Sequence, residues 1–221
     1  MTSLDPSAEA RARQQGRTEV DGEASSIDRA MSRYADGHDA AFGEVFRALS
    51  PRLLGFLRRL CGSPELAHDL AQETFLRMHR ARGSFVPGGA VVPWAYAIAR
   101  NCFASHARSL KTRAAWSSLD ISDHEVAAGL DSNAEETAVV RQSAAVVERT
   151  LAQMSVTNRE AFVLIRFEGQ SVAAAAQILG ASEGAVKLRA FRAYELLRGA
   201  LKSAEVSNGA PRGGNQPGLE A

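Results

Sequence analysis

A short run near the C-terminal end combines the side chains that read duplex DNA. Lys187, Arg189 and Arg192 carry cationic donors, and Leu188 and Phe191 carry apolar surface. Lysine and arginine donate to guanine edges, and an apolar side chain meets the thymine methyl group. Contacts to phosphate fix register without reading sequence. Lys187 and Arg192 are therefore expected at base edges or phosphates, Phe191 at a thymine methyl, and Arg189 and Arg198 at phosphates. A second cluster lies upstream. Thr74 to Leu119 contains no Asp or Glu, yet carries Arg77, Arg80, Arg82, Arg100, Arg108, Lys111 and Arg113. Such a block suits a polyanion, although like-charge runs are often only solvated surface. Within it Asn101 has the donor and acceptor needed at a base edge. Phe85 is either a stacking platform for a base or, like Trp94, part of the core.

The elements that must position these groups read as helices. Ser171 caps a predicted helix over Val172 to Leu179. Gly180 marks a turn, and Ser182 caps a second helix with Glu183 at its positive end. Ala176 is small enough for two helices to approach, and Val186 plugs the gap between them. This is a helix-turn-helix, whose second helix enters the major groove by its N-terminal residues. Any one of these features also fits an ordinary helical hairpin; together they favour DNA.

Ahead of it, Val147, Thr150, Leu151 and Met154 form an amphipathic stripe. Thr157 to Glu160 has the spacing of a capping box opening a helix through Phe167. In the N-terminal half, Phe42, Val45, Phe46, Leu49, Leu53, Phe56, Leu57 and Leu60 share one helical face, which Pro51 is expected to kink or break. Ser63 and Pro64 open the next helix, with Ala67, Leu70, Ala71, Thr74, Phe75 and Met78 inward. Asp69, Gln72, Glu73, Leu76 and Arg80 lie on another face of it, mixing charge with one exposed leucine. That face suits a protein interface or plain solvation about equally. Pro93 is expected to open a helix carrying Trp94, Ile98 and Cys102 inward.

The chain is 221 residues long, 45% hydrophobic, with a net charge of +1. Its apolar residues are mainly Ala, Leu and Val, which suits helices, and nothing alternates with period two over a useful length. The expected fold is all-α: two small helical domains, residues 27–113 and 144–203, joined by a flexible acidic linker over 114–143, the C-terminal domain being the helix-turn-helix. The linker carries Asp120, Asp123, Glu125, Asp131, Glu135 and Glu136, with no Lys or Arg between them. Residues 1–26 and 204–221 read as disordered extensions. No apolar run approaches the roughly 20 residues of a membrane span, and no secretory signal opens the chain, so a cytoplasmic location is expected. The two cysteines, Cys61 and Cys102, lack metal spacing and read as reduced core thiols, with a redox role as the alternative. No metal cluster, phosphate loop or nucleophile and base constellation is evident. No cofactor, small-molecule substrate or catalytic role is therefore expected, and His68, His79 and His106 read as surface groups.

From about Asp39 to Lys202 the chain resembles the extracytoplasmic-function (ECF) sigma factors of bacterial RNA polymerase. The resemblance is carried by Pro51-Arg-Leu-Leu-Gly-Phe-Leu-Arg-Arg59, Ala67-His-Asp-Leu-Ala-Gln-Glu-Thr-Phe-Leu-Arg77, Pro93-Trp-Ala-Tyr-Ala-Ile-Ala-Arg-Asn101 and Gly184-Ala-Val-Lys-Leu-Arg-Ala-Phe-Arg-Ala193. It implies that Asp69, Gln72, Glu73, Leu76 and Arg80 dock on core RNA polymerase. It implies that Arg80, Arg82, Phe85, Arg100, Asn101, Arg108 and Lys111 capture the −10 promoter element as single-stranded DNA, by phosphate contact and base capture. Lys187, Leu188, Arg189, Phe191 and Arg192 would then read the −35 element as duplex. It further implies that the acidic linker threads the polymerase, and that an anti-sigma factor, free or membrane-bound, restrains the chain. The loop before Pro93 reads Gly89-Ala-Val-Val, without the basic and aromatic residues the family often has there, which implies a different base preference. A stand-alone helix-turn-helix regulator would not need the Asp69 to Arg80 face. An enzyme with an accessory helix-turn-helix would show a deep polar pocket in 27–113.

Overall fold

The computed structural model describes residues 26–116 and 138–209. Among them there is no strand, and no helix is long and apolar enough to cross a membrane. Among the described residues the N-terminal half has four α-helices, α1 over 26–35, α2 (Phe42–Cys61), α3 (Pro64–Ala81) and α4 (Val91–Trp116), with short 3-10 turns at Asp39–Ala41 and Arg82–Ser84. The C-terminal half has α5 (Ala138–Gln153), α6 (Val156–Arg166), α7 (Val172–Leu179) and α8 (Glu183–Gly209). The all-α expectation holds. The helices are longer than expected at two places: α4 runs past 113 and α8 continues beyond 203; α5 opens at Ala138, inside the segment 114–143. The acidic residues 117–137 lie outside the described residues, as do 1–25 and 210–221.

The expected break at Pro51 does not occur, and α2 is one helix. Val45 and Leu49 before the proline, and Leu53, Phe56, Leu57 and Leu60 after it, are all buried. Apolar burial on both sides of position 51 outweighs the one backbone hydrogen bond that proline removes. The inward residues of α3 are those expected, from Ala67 to Met78, and Ser63 Oγ accepts from Leu66 N at 3.2 Å as its cap.

The helix expected to open at Pro93 starts at Val91. Its buried face is Val91, Val92, Ala95, Tyr96, Ala99, Cys102 and Phe103, while Trp94 and Ile98 lie at the margin. Pro93 is still tolerated because it falls in the first turn, where backbone amides have no helical partner. The free amide of Val91 is met from another helix: Asp28 Oδ1 on α1 accepts it at 2.8 Å. Gly88 N donates to Ser32 Oγ at 3.3 Å, so α1 fastens the loop between α3 and α4 twice.

The two halves are not apart. One core cluster runs from Ile27 on α1 through α2 to α4 and on to Val163, Ala175 and Val186. Alanine-rich α7 lies along α4, and α5 and α6 pack on α2. A smaller cluster of Leu151, Met154, Phe162, Ala193 and Leu197 closes the C-terminal half.

Candidate nucleic-acid interface

The helix-turn-helix forms as its sequence dictates. Ser171 Oγ accepts from Ala174 N at 3.1 Å, and Ser182 Oγ from Ala185 N at 3.2 Å, so both helices are capped. Gly180 takes φ 59° and ψ 42°, the left-handed conformation that a glycine adopts without strain. Ala176 and Val186 are buried between the helices, Val186 completely. This holds the start of α8 outward. Lys187 and Arg192 are exposed, Leu188 is 49% exposed and Phe191 60%. An apolar pair that open to solvent, flanked by two cations, suits thymine methyls beside phosphates. Lys187 is within 3.8 Å of Glu183, and Arg198 pairs with Glu195 at 2.7 Å; such exposed pairs yield readily to a phosphate. Arg189 is only half-exposed and its charge acts on the buried Glu160.

The acid-free block separates into available and engaged groups. Arg80, Asn101 and Arg108 are exposed, with Arg108 donating to Ser105 Oγ at 3.2 Å. Arg82 lies over the Tyr34 ring at 5.5 Å and reaches His79 at 3.1 Å. The Tyr34 hydroxyl is itself hydrogen-bonded to His79 Nδ1. Lys111 continues on α4, its side chain outside the described residues. Phe85 corrects the expectation of a stacking platform. It is 6% exposed and meets Trp94 edge-on at 5.3 Å. The hydrophobic ring fills the space under the loop that α1 ties down, so it offers no face to a base in this conformation. Arg100 is also engaged, as described below.

On α3, Asp69, Gln72, Leu76 and Arg80 are exposed together, and Glu73 pairs with Arg77 at 2.7 Å. Beside them the apolar surface is larger than the sequence indicated. Phe46 is 46% exposed and Leu76 43%, and Phe46 meets Phe75 at 4.7 Å between centroids. Leu76 also edges a groove lined by Tyr34, Asp39, Phe42, Phe75 and His79. Phe46 was expected inward with the α2 stripe; it lies at the edge of that face because α3 covers only the residues nearer its own axis.

The residues that sequence reasoning missed join the two halves. Arg100 Nε on α4 donates to Glu160 Oε1 on α6 at 3.2 Å, with the Glu160 side chain 2% exposed. Tyr96 Oη donates to Glu168 Oε2 at 2.5 Å. Arg59 lies 3.5 Å from Glu168 Oε1 and stacks over the Phe167 ring at 4.4 Å. The Arg159 guanidinium donates to the carbonyl of Leu60 in α2, and to those of Ala152 at 2.7 Å and Met154 at 3.1 Å. Burial pushes the carboxyls of Glu160 and Glu168 above the usual carboxylate range, against the pull of the arginines around them. Glu160 Oε2 is buried without a hydrogen-bond partner among the described residues.

The expected capping box at Thr157 to Glu160 is thus corrected. Ser155 is the cap residue, and Glu160 turns into the contact instead of back to the helix start. Glu160 to Leu164 is buried by the helices around it, a property set by packing and absent from the local sequence pattern, and a helix buried all round must pair any charge it carries. Burial also raises both thiols, Cys61 and Cys102, which disfavours the thiolate form that oxidation needs. Among the described residues no group of His, Cys, Asp and Glu is arranged to hold a metal.

The protein-family description Sigma-70 region 2 matches residues 45–113, and Sigma-70, region 4 matches 144–197. The RNA polymerase sigma factor CarQ of Myxococcus xanthus is 35% identical over 176 residues, covering 80% of this chain and 98% of that protein. The ECF RNA polymerase sigma factor SigF of Caulobacter vibrioides is 32% identical over 176 residues, 79% of this chain and 93% of SigF. Among solved structures, the sigma factor RpoE in complex with the anti-sigma factor NepR from Bartonella quintana superposes with a TM-score of 0.62 at 26% identity. It covers 73% of this chain and 96% of that one. CnrH in complex with the cytosolic domain of CnrY has a TM-score of 0.59 at 24% identity, over 83% of this chain and 99% of its own; that likeness is one of fold. Matches to both region families disfavour a stand-alone regulator.

Proposed function

The chain belongs to the extracytoplasmic-function sigma factors, which direct promoter-specific initiation, and on that footing we propose how its residues divide the work. Lys187, Leu188, Phe191 and Arg192 read the −35 duplex from the start of α8, with Arg189 and Arg198 on the phosphates. Arg80, Arg82, Arg100, Asn101, Arg108 and Lys111 hold the −10 strand. Asp69, Gln72, Glu73, Leu76 and Arg80 dock on core polymerase, with Leu76 and the neighbouring Phe46 supplying the apolar centre that such interfaces need. The working units are 27–113 and 144–203, and the acidic segment over 114–143 threads the polymerase between them. The chain works in the cytoplasm, performs no covalent chemistry and is restrained by an anti-sigma factor. The complex of the similar RpoE with NepR supports that last reading.

The observation that carries the proposal is the exposure of Leu188 and Phe191 beside Lys187 and Arg192 on a doubly capped helix. Arg192→Ala should weaken −35 recognition by about 1–3 kcal/mol of discrimination while leaving polymerase binding intact. Asp69→Arg should do the reverse, impairing polymerase binding without loss of helix content. Promoter-specific transcription unchanged by Arg192→Ala would refute the −35 assignment. A parent chain that forms no complex with core polymerase would refute the whole reading.

A further inference from the structure

We infer that Val86 meets the methyl group of a thymine in the −10 strand, and that Asp28 and Ser32 on α1 are the positioning residues that hold it there. The inference rests on the assignment of the −10 strand to this half of the chain made above.

The segment between α3 and α4 contains a built turn. Gly89 N donates to the Val86 carbonyl at 2.9 Å. Pro87 stands second in this turn and Gly88 third, with Gly88 at φ 79°. That bond, with a positive φ at the third residue, defines a type II turn, which favours Pro and then Gly at those two places. Position 89 has no room for a side chain: a methyl group there would lie 2.9 Å from the Val86 carbonyl oxygen. The Phe85 ring underpins the same spot, 3.8 Å from where that methyl would sit.

Helix α1 satisfies the amides that the turn leaves over. The N–H of the third residue takes no part in the turn's own bond. Gly88 N instead finds Ser32 Oγ at 3.3 Å, and that hydroxyl donates onward to the Asp28 carbonyl at 3.0 Å. Val91 N, where α4 begins, finds Asp28 Oδ1 at 2.8 Å. Arg82, which opens the segment, lies over the Tyr34 ring of the same helix at 5.5 Å. Thus α1 meets the segment at its start, its tip and its end, although it precedes the matched region 45–113. With these amides paired, the turn is ordered before any DNA arrives, so binding loses little further freedom.

What the turn displays is apolar. Val86 is 71% exposed, more than any other large apolar side chain among the described residues, and Pro87 is exposed beside it. The core does not use the Val86 side chain. A lone exposed valine needs no explanation. This one sits on a fixed turn, with Arg80 and Arg82 just before it and Arg100, Asn101 and Arg108 on the helix that follows. Cations hold phosphates without regard to sequence. A branched apolar group beside them discriminates, because it gains from a thymine methyl and not from a base that lacks one. Burying one methyl group is worth about fourfold in affinity.

Two 20-nucleotide single strands, oligothymidine and oligodeoxyuridine, test this by fluorescence anisotropy with the full chain. They differ only in the 5-methyl group, and register does not matter in a homopolymer. The parent should bind the thymidine strand about fourfold tighter. Val86→Ser should bring the ratio to about one with the melting temperature unchanged, since the side chain is exposed. Asp28→Ala and Ser32→Ala should collapse the ratio too. Asp28→Asn and Ser32→Thr keep the acceptor oxygen and should retain it. A merely structural role for α1 would weaken both strands together and leave the ratio alone, and that result would overturn the positioning role. A parent that binds both strands equally overturns the inference while the −10 assignment stands. So does a thymidine preference that survives Val86→Ser. A parent that binds neither strand refutes the −10 assignment itself, and the inference with it.

Discussion

Replacing Arg159 with lysine keeps the charge and removes the fork, and the structure says how much the fork is worth. The guanidinium donates to three carbonyls at once. One belongs to Leu60 in the last turn of α2, and the others to Ala152 in the last turn of α5 and to Met154 just beyond it. These oxygens have no helical partner, since the last carbonyls of a helix lack one. A planar guanidinium serves three acceptors in different directions; a lysine ammonium on its stem reaches one of them. Two hydrogen bonds from a charged donor are lost, each contributing about 1.5–3 kcal/mol when its acceptor stays buried. Water recovers part of this for Met154, beside the exposed Ser155. The net destabilisation of Arg159→Lys should be about 3 kcal/mol. For a chain of this size that lowers the melting temperature by roughly 6–12 °C. Urea and thermal denaturation followed by helical circular dichroism measure it. Arg159→Met should cost at least as much, because it leaves every carbonyl unpaired. A lysine variant melting within about 2 °C of the parent would show that the three bonds contribute little, and the stapling argument would fail.

Asp28→Ala removes the cap that α1 gives to Val91 N; a lost cap should cost about 1 kcal/mol, read as a shift of the urea midpoint, and should loosen Gly88 in hydrogen exchange. Gly180→Ala meets no atom within 4 Å, so only its left-handed backbone counts, at about 1–2 kcal/mol; Gly180→Asn should cost less, and equal stability of all three would remove the case for strain. The buried carboxyls make stability depend on pH in a stated direction. Arg100, Arg159 and Arg189 face Glu160, and Tyr96, Arg59 and Arg52 face Glu168, yet burial raises both above 4.5. A raised carboxyl binds protons in the folded chain that the unfolded chain has released, so its contribution to stability falls as pH rises through that window. The urea midpoint of the parent, minus that of a Glu160→Gln, Glu168→Gln variant, should therefore decline from pH 5 to 8. A flat or rising difference would contradict the burial argument.

Local rules reached most of the fold. Caps at Ser63, Ser171 and Ser182, and the inward stripe of α3, follow from residue types a few positions apart, and the structure has them where expected. The errors share one cause. The break expected at Pro51, the stacking role for Phe85 and the capping role for Glu160 are each decided by packing beyond the local helical turn. Asp28 stands 63 residues before the amide it caps, and Glu160 stands 60 residues after its arginine. Nothing within a helical turn of Glu160 distinguishes a capping glutamate from one aimed across an interface. The outward face at the start of α8 was legible for the opposite reason: Lys187, Leu188, Phe191 and Arg192 are what remains outward once Val186, Ala193 and Leu197 are turned in.

The way the halves meet also bears on how firmly they are held. A buried ion pair returns by attraction roughly what desolvation takes away, while loss of one partner leaves the other charge stranded. Burial outweighs the nearby arginines at both Glu160 and Glu168, so these pairs add little to the stability of the contact. What they add is register. Two carboxylates and their arginines match in one alignment of α6 against α4 and α2, and a slipped alignment would bury charge unpaired. The apolar core shared by the two halves supplies the attraction, and the charged groups fix the alignment. On this argument, replacing Glu160 and Arg100 together with apolar residues of similar volume should leave the urea midpoint unchanged or raise it, whereas Glu160→Ala alone should lower it.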